Sequence, residues 1–65
     1  MYNESIRSCR LDAGKTQREV ADTLHVSQQV VAKWENGVGS EPSISRLIAL
    51  ADIYNVSIDK LIGRE

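Results

Sequence analysis

Apolar positions along the chain recur at helical spacing, and no segment alternates with period two long enough to make a strand. Four helix starts are spelled out. Thr16-Gln17-Arg18-Glu19 is a capping box, in which the Thr16 hydroxyl can accept from the Glu19 N–H and the Glu19 carboxylate can reach back to the Thr16 N–H. Ser27 is the second start, with Val26 before it and Val31 inside the helix as a hydrophobic staple. Ser43, after Pro42, is the third, and Ser57 the fourth, stapled by Val56 and Leu61. The stops are Gly14, Gly37 after Asn36, Asn55 after Tyr54 as a left-handed cap, and Gly63. Together they predict an all-α fold of five helices, over about 3–13, 17–24, 28–36, 44–54 and 58–62. In the fourth helix Ile44, Leu47, Ile48, Ala51 and Tyr54 form one stripe, which Leu50 and Ile53 widen; only Ser45, Arg46 and Asp52 favour water. So apolar a helix is expected to be the core against which the others pack.

Only His25, Val26 and Ser27 separate the second and third helices, which forces a sharp angle between them. Ala21 is small enough for the crossing point, and Val20, Leu24, Val26, Val31 and Trp34 are the apolar contacts expected to lock the pair. Such spacing fits a DNA-reading helix-turn-helix and also an ordinary helical hairpin. The surface of the third helix separates the two. At about 100° per residue, Gln28, Ala32, Asn36, Gln29 and Lys33 share one arc, while Val30, Trp34 and Val31 share the opposite one. The polar arc holds no carboxylate, as a surface meeting phosphates and base acceptors requires. Gln and Asn amides pair a donor with an acceptor and can match adenine bidentately. Lys33 can donate to guanine or to phosphate, and Ala32 can touch a thymine methyl. A merely solvated face would usually carry Glu or Asp as well. Gln17 and Arg18 open the second helix and Ser27 the third, and a helix N-terminus favours an anion. These three residues, with Asn36, are the candidate contacts to the DNA backbone.

Composition changes this picture in one respect. The net charge is −1, whereas a DNA-binding domain is usually basic. Affinity must then come from where the charges sit. The 65 residues allow one domain, 1–65, burying only about 60% of the surface its unfolded chain exposes. The single cysteine, Cys9, cannot form an internal disulfide and is expected to be a half-buried small apolar side chain. The N-terminus MYNESIRSCR lacks an apolar stretch of signal-peptide length, and nothing reaches the roughly 20 apolar residues that span a bilayer. A cytoplasmic protein without membrane contact is expected. One His and one Cys make neither a catalytic triad nor a metal site, so no enzyme, cofactor, metal or small-molecule ligand is expected; His25 reads as a turn residue.

The stretches Thr16-Gln17-Arg18-Glu19-Val20-Ala21, Val26-Ser27-Gln28-Gln29, Trp34-Glu35-Asn36-Gly37, Pro42, and Leu50-Ala51 with Val56-Ser57-Ile58-Asp59-Lys60-Leu61 resemble the Cro/C1-type (XRE) helix-turn-helix family. That family includes phage repressors, restriction–modification controller proteins and antitoxins, and the resemblance covers nearly the whole chain. It implies a compact five-helix lambda-repressor-like fold and a transcriptional regulator, with repression the expected sign. It implies a phosphate contact for Gln17, base contacts for Gln28, Gln29 and Lys33, a backbone contact for Asn36, and a bridge from Arg10 to Glu35 between helices one and three. Two departures stand out. His25 occupies a place where relatives often have Gly, and Gly39 to Ser45 carries no basic residue for a loop contact.

One neutral domain makes few phosphate contacts, so a homodimer on a pseudo-palindromic operator is expected. Ile58 and Ile62 in the last helix are the residues left free to face a partner. The competing reading is an antitoxin-like or other protein-interaction module, which a large apolar patch away from the third helix would favour.

Overall fold

The computed structural model describes residues 2–65. Its five helices are α1 (Asn3–Asp12), α2 (Gln17–Leu24), α3 (Gln28–Asn36), α4 (Ile44–Tyr54) and α5 (Ile58–Leu61). No strand occurs among the described residues. Two ends differ from expectation by one residue. Ala13 and Ile62 are caps, because the turns after them close on Gly14 and Gly63, both at positive φ.

Each predicted start forms. Thr16 and Glu19 make the reciprocal capping box, with Thr16 N–H donating to Glu19 Oε1 at 2.8 Å and Glu19 N–H donating to Thr16 Oγ1 at 3.1 Å. The Ser27, Ser43 and Ser57 hydroxyls accept from Val30, Arg46 and Lys60 N–H. α1 alone lacks a side-chain cap. Gly37 has two reasons to be glycine. Its φ is +71°, and a Cβ there would lie 3.2 Å from Asn3 Cγ. Asn3 in turn donates through Nδ2 to the Glu35 carbonyl, which ties the start of α1 to the end of α3.

The core gathers Ile6 and Cys9 from α1, Val20, Ala21 and Leu24 from α2, Val31 and Trp34 from α3, Leu47, Leu50, Ala51 and Tyr54 from α4, and Leu61 from α5. Cys9 is more buried than expected, and burial pushes its thiol pKa up, Lys60 opposing and Asp12 adding to the shift. Val26 and Val56 pack against this core as partly buried staples.

α4 departs most from the sequence reading. Ile44 and Ile48, expected in the core stripe, are 77% and 51% exposed. Leu47, Leu50, Ala51 and Tyr54 take the inward face, and a domain of five short helices has nothing to cover the other side. Arg46, expected in water, is half-buried and donates through Nη1 to the Leu24 carbonyl at 3.2 Å. A cation there satisfies an end carbonyl of α2 and complements its dipole.

Candidate nucleic-acid interface

α2 and α3 pack on each other more extensively than any other pair of helices. Ala21 is buried between them, and the turn that joins them reverses at His25, whose φ is +57°. This left-handed conformation is uncommon outside glycine, and the His25 N–H closes the turn onto the Asp22 carbonyl. The result holds the N-terminus of α3 clear of the core.

On α3, Val31 and Trp34 are buried and Val30 is half-buried. Gln28, Gln29, Lys33 and Asn36 are exposed, and Ala32 is half-buried between them. The first turn of α3 carries no acidic residue, so its positive end is not cancelled by a side chain. Ser27 accepts from Val30 N–H at 3.3 Å, which leaves its hydroxyl proton for an outside acceptor. Arg18 is exposed beside the start of α2. Lys33 leans along the loop after α3, where a Cβ on Gly39 would lie 4.0 Å from its Cδ. A shallow groove of about 330 Å³ opens there, lined by Lys33, Trp34, Asn3 and the 37–42 loop.

Behind this surface lies a buried polar cluster. Arg10 from α1 grips Glu35 of α3 with two bonds, Nε to Oε2 at 2.7 Å and Nη2 to Oε1 at 3.0 Å. The third guanidinium nitrogen, Nη1, donates to the Lys15 carbonyl at 2.9 Å. The hydrogen bond to Glu35 raises the Arg10 pKa above its already high value. The pairing expected from the family resemblance is therefore present, and it fastens α1, the α1–α2 turn and α3 to one another.

The sequence reading missed a third member of the cluster. Gln17 is half-buried, and its Nε2 donates to Glu35 Oε1 at 3.1 Å. The two residues are 18 apart on different helices, and no local pattern joins them. Of the residues expected at a dimer contact, Ile58 is 38% exposed, while Ile62 is half-buried against the core of its own chain. Among the described residues no group of three His, Cys, Asp or Glu side chains could hold a metal ion, and no helix is long and apolar enough to cross a membrane.

The helix-turn-helix family model matches residues 6–61, which takes in all of α2, α3 and α4. The chain belongs to the Cro/C1 (XRE) type of helix-turn-helix proteins. As a member of this family it is similar to the HTH-type transcriptional activator BcrR of Enterococcus faecalis, at 33% identity over 98% of this chain and 31% of the relative. It is also similar to the cryptic phage CTXphi transcriptional repressor RstR of Vibrio cholerae, at 36% identity over 94% of this chain and 54% of the relative. The HTH-type transcriptional regulator ImmR of Bacillus subtilis matches at 32% identity over 92% of this chain and 46% of its own length. No solved structure matches significantly. The chain spans between about a third and just over half of the length of the curated relatives it matches. The matched segment makes α2 and α3 the two helices of the helix-turn-helix.

Proposed function

We propose that the chain is a sequence-specific double-stranded DNA-binding transcriptional regulator that places α3 in the major groove. The observation that carries this reading is the exposed arc of Gln28, Gln29 and Lys33 around Ala32, free of carboxylates, on a helix whose opposite face is locked into the core. Gln28 and Gln29 sit in the first turn of α3 and read base edges. Lys33 reaches guanine and Ala32 a thymine methyl, while Asn36, Ser27, Arg18 and Gln17 hold the phosphates. Repression is the sign we favour: RstR is named a repressor, and covering a promoter requires nothing beyond binding. The regulator works in the cytoplasm, as a homodimer on a pseudo-palindrome whose half-sites lie about one helical turn, ~34 Å, apart. Residues 1–65 act as one domain.

Selection of binding sites from random duplexes, followed by anisotropy titration of the selected site, tests the reading. Gln28→Ala or Gln29→Ala is expected to cost about 1–3 kcal/mol on the best site and to relax preference at one or two base pairs. Gln17→Ala is expected to weaken all duplexes equally. A Gln28→Ala chain with unchanged preference would show that another surface reads the sequence.

The outward pair Ile44 and Ile48 favours a second reading, an antitoxin-like or other protein-interaction module. Under that reading no duplex is enriched in the same selection.

A further inference from the structure

The Glu35 carboxylate is buried within the structure, yet it lies one residue before Asn36 on the helix proposed to meet DNA. It accepts three hydrogen bonds, two from Arg10 and one from Gln17. The first two cancel its charge, which removes the repulsion a free carboxylate would exert on a phosphate. The third has a different consequence. A carboxylate only accepts, so it holds the Gln17 amide with Nε2 inward and repels the orientation with Oε1 inward. Nε2 carries two hydrogens. One is taken by Glu35, and the second remains for an acceptor outside. Gln17 is the first residue of α2, beside the capping box in which the Glu19 carboxylate already meets the positive end of the helix. The direction of its amide, not the dipole alone, therefore decides what it offers an outside anion.

We propose that Glu35 is a positioning residue, one that aims the Gln17 amide so that its second N–H meets a DNA phosphate. This rests on the DNA-binding reading above. Arg10 makes the arrangement tolerable by neutralising the carboxylate, and Glu35 makes it directional. An unrestrained glutamine at the same place would present its carbonyl oxygen to the phosphate much of the time and would spend rotamer entropy on turning it away.

Two measurements on the full chain test this. The first is a binding cycle on one selected duplex. In the parent, Gln17→Met is expected to weaken binding about tenfold, the equivalent of one charge-assisted hydrogen bond. The double variant Arg10→Met, Glu35→Leu removes the ion pair as a unit and leaves no buried charge. In that background Gln17→Met is expected to cost less than about twofold, the loss having already been incurred. An equal factor in both backgrounds, with duplex binding intact, overturns the proposal and leaves the DNA-binding reading standing. A parent that binds no duplex overturns both.

The second measurement does not depend on a variant that folds. The side-chain amide protons of Gln17 are followed by NMR in the parent chain. One of them is expected to be shifted and slow to exchange before DNA is added and to stay so afterwards, while its geminal partner moves on titration with the duplex. Two protons that move together, or a first proton that loses its protection on binding, show that the Glu35 bond is broken in the complex and overturn the proposal.

Discussion

The Tyr54 hydroxyl is the one buried side-chain polar atom among the described residues without a hydrogen-bond partner. An unpartnered buried donor costs about 1–3 kcal/mol. Tyr54→Phe is therefore expected to leave the chain as stable as the parent at pH 7 or to stabilise it by roughly 1 kcal/mol. A loss above that size in urea unfolding would mean that the hydroxyl is bonded. Burial raises the Tyr54 pKa, the Glu35 carboxylate raises it further, and Arg10 opposes both. The folded chain thus prefers the neutral phenol more than the unfolded chain does. That preference contributes fully below the unfolded value of about 10 and is lost as the pH climbs from there towards the raised folded value. Urea midpoints at pH 7 and pH 11 should fall farther for the parent than for Tyr54→Phe. At this scale the caps were readable because each is spelled by neighbours in the chain. The Gln17 bond and the orphan hydroxyl were not, because both depend on which helices meet.

Elements are joined here by few but buried ties. Arg10 and Glu35 link α1 to α3 with side chains almost wholly out of water. Removing either partner alone strands a charge and is expected to cost about 3–5 kcal/mol. A chain of this size has only about 3–10 kcal/mol of stability, so such a variant stands at the edge of unfolding. The pair removed together, as Arg10→Met with Glu35→Leu, should recover most of the loss; a double-mutant cycle by urea denaturation that shows no coupling would reject the link. α4 offers the opposite contrast. Leu50→Ala, at a fully buried position, should cost about 2–5 kcal/mol. Ile44→Ser and Ile48→Ser should each stay within about 0.5 kcal/mol of the parent, because the side chains are largely in water. Thermal midpoints of the three variants check the ranking. The composition of α4 announced a core helix and could not show which side faces inward. With apolar residues over most of its circumference, the inward side is chosen by where α2 and α5 lie. Ile44 and Ile48 fell on the side that no helix covers.

At the scale of the molecule, the fold and the helix-turn-helix were legible because spacing and caps spell them, whereas assembly depends on surfaces that a single chain leaves open. Ile58 remains available on α5, while Ile62 is partly spent on the chain's own core. Ile58→Asp is expected to reduce operator affinity at least tenfold with the fold unchanged by circular dichroism, since two copies on one site double the contacts and the information read. Sedimentation of the saturated operator complex should show two chains per site; one chain per site would reject the dimer. The same end of the molecule governs how it comes to exist. The Ser5 hydroxyl and the Cys9 thiol of α1 both donate to the Lys60 carbonyl of α5, and Ile6 and Leu61 are fully buried in the shared core. Within this domain the helix made first, α1, is thus completed by the one made last, α5. A nascent chain that has emerged only as far as Tyr54 still lacks the helix that seals α1, so native packing waits until nearly the whole domain is clear of the exit tunnel. Until then Ile6 and Cys9 can pack on α3 but lack the cover that α5 supplies, and a ribosome stalled in that interval would leave that side of α1 open to proteases and chaperones.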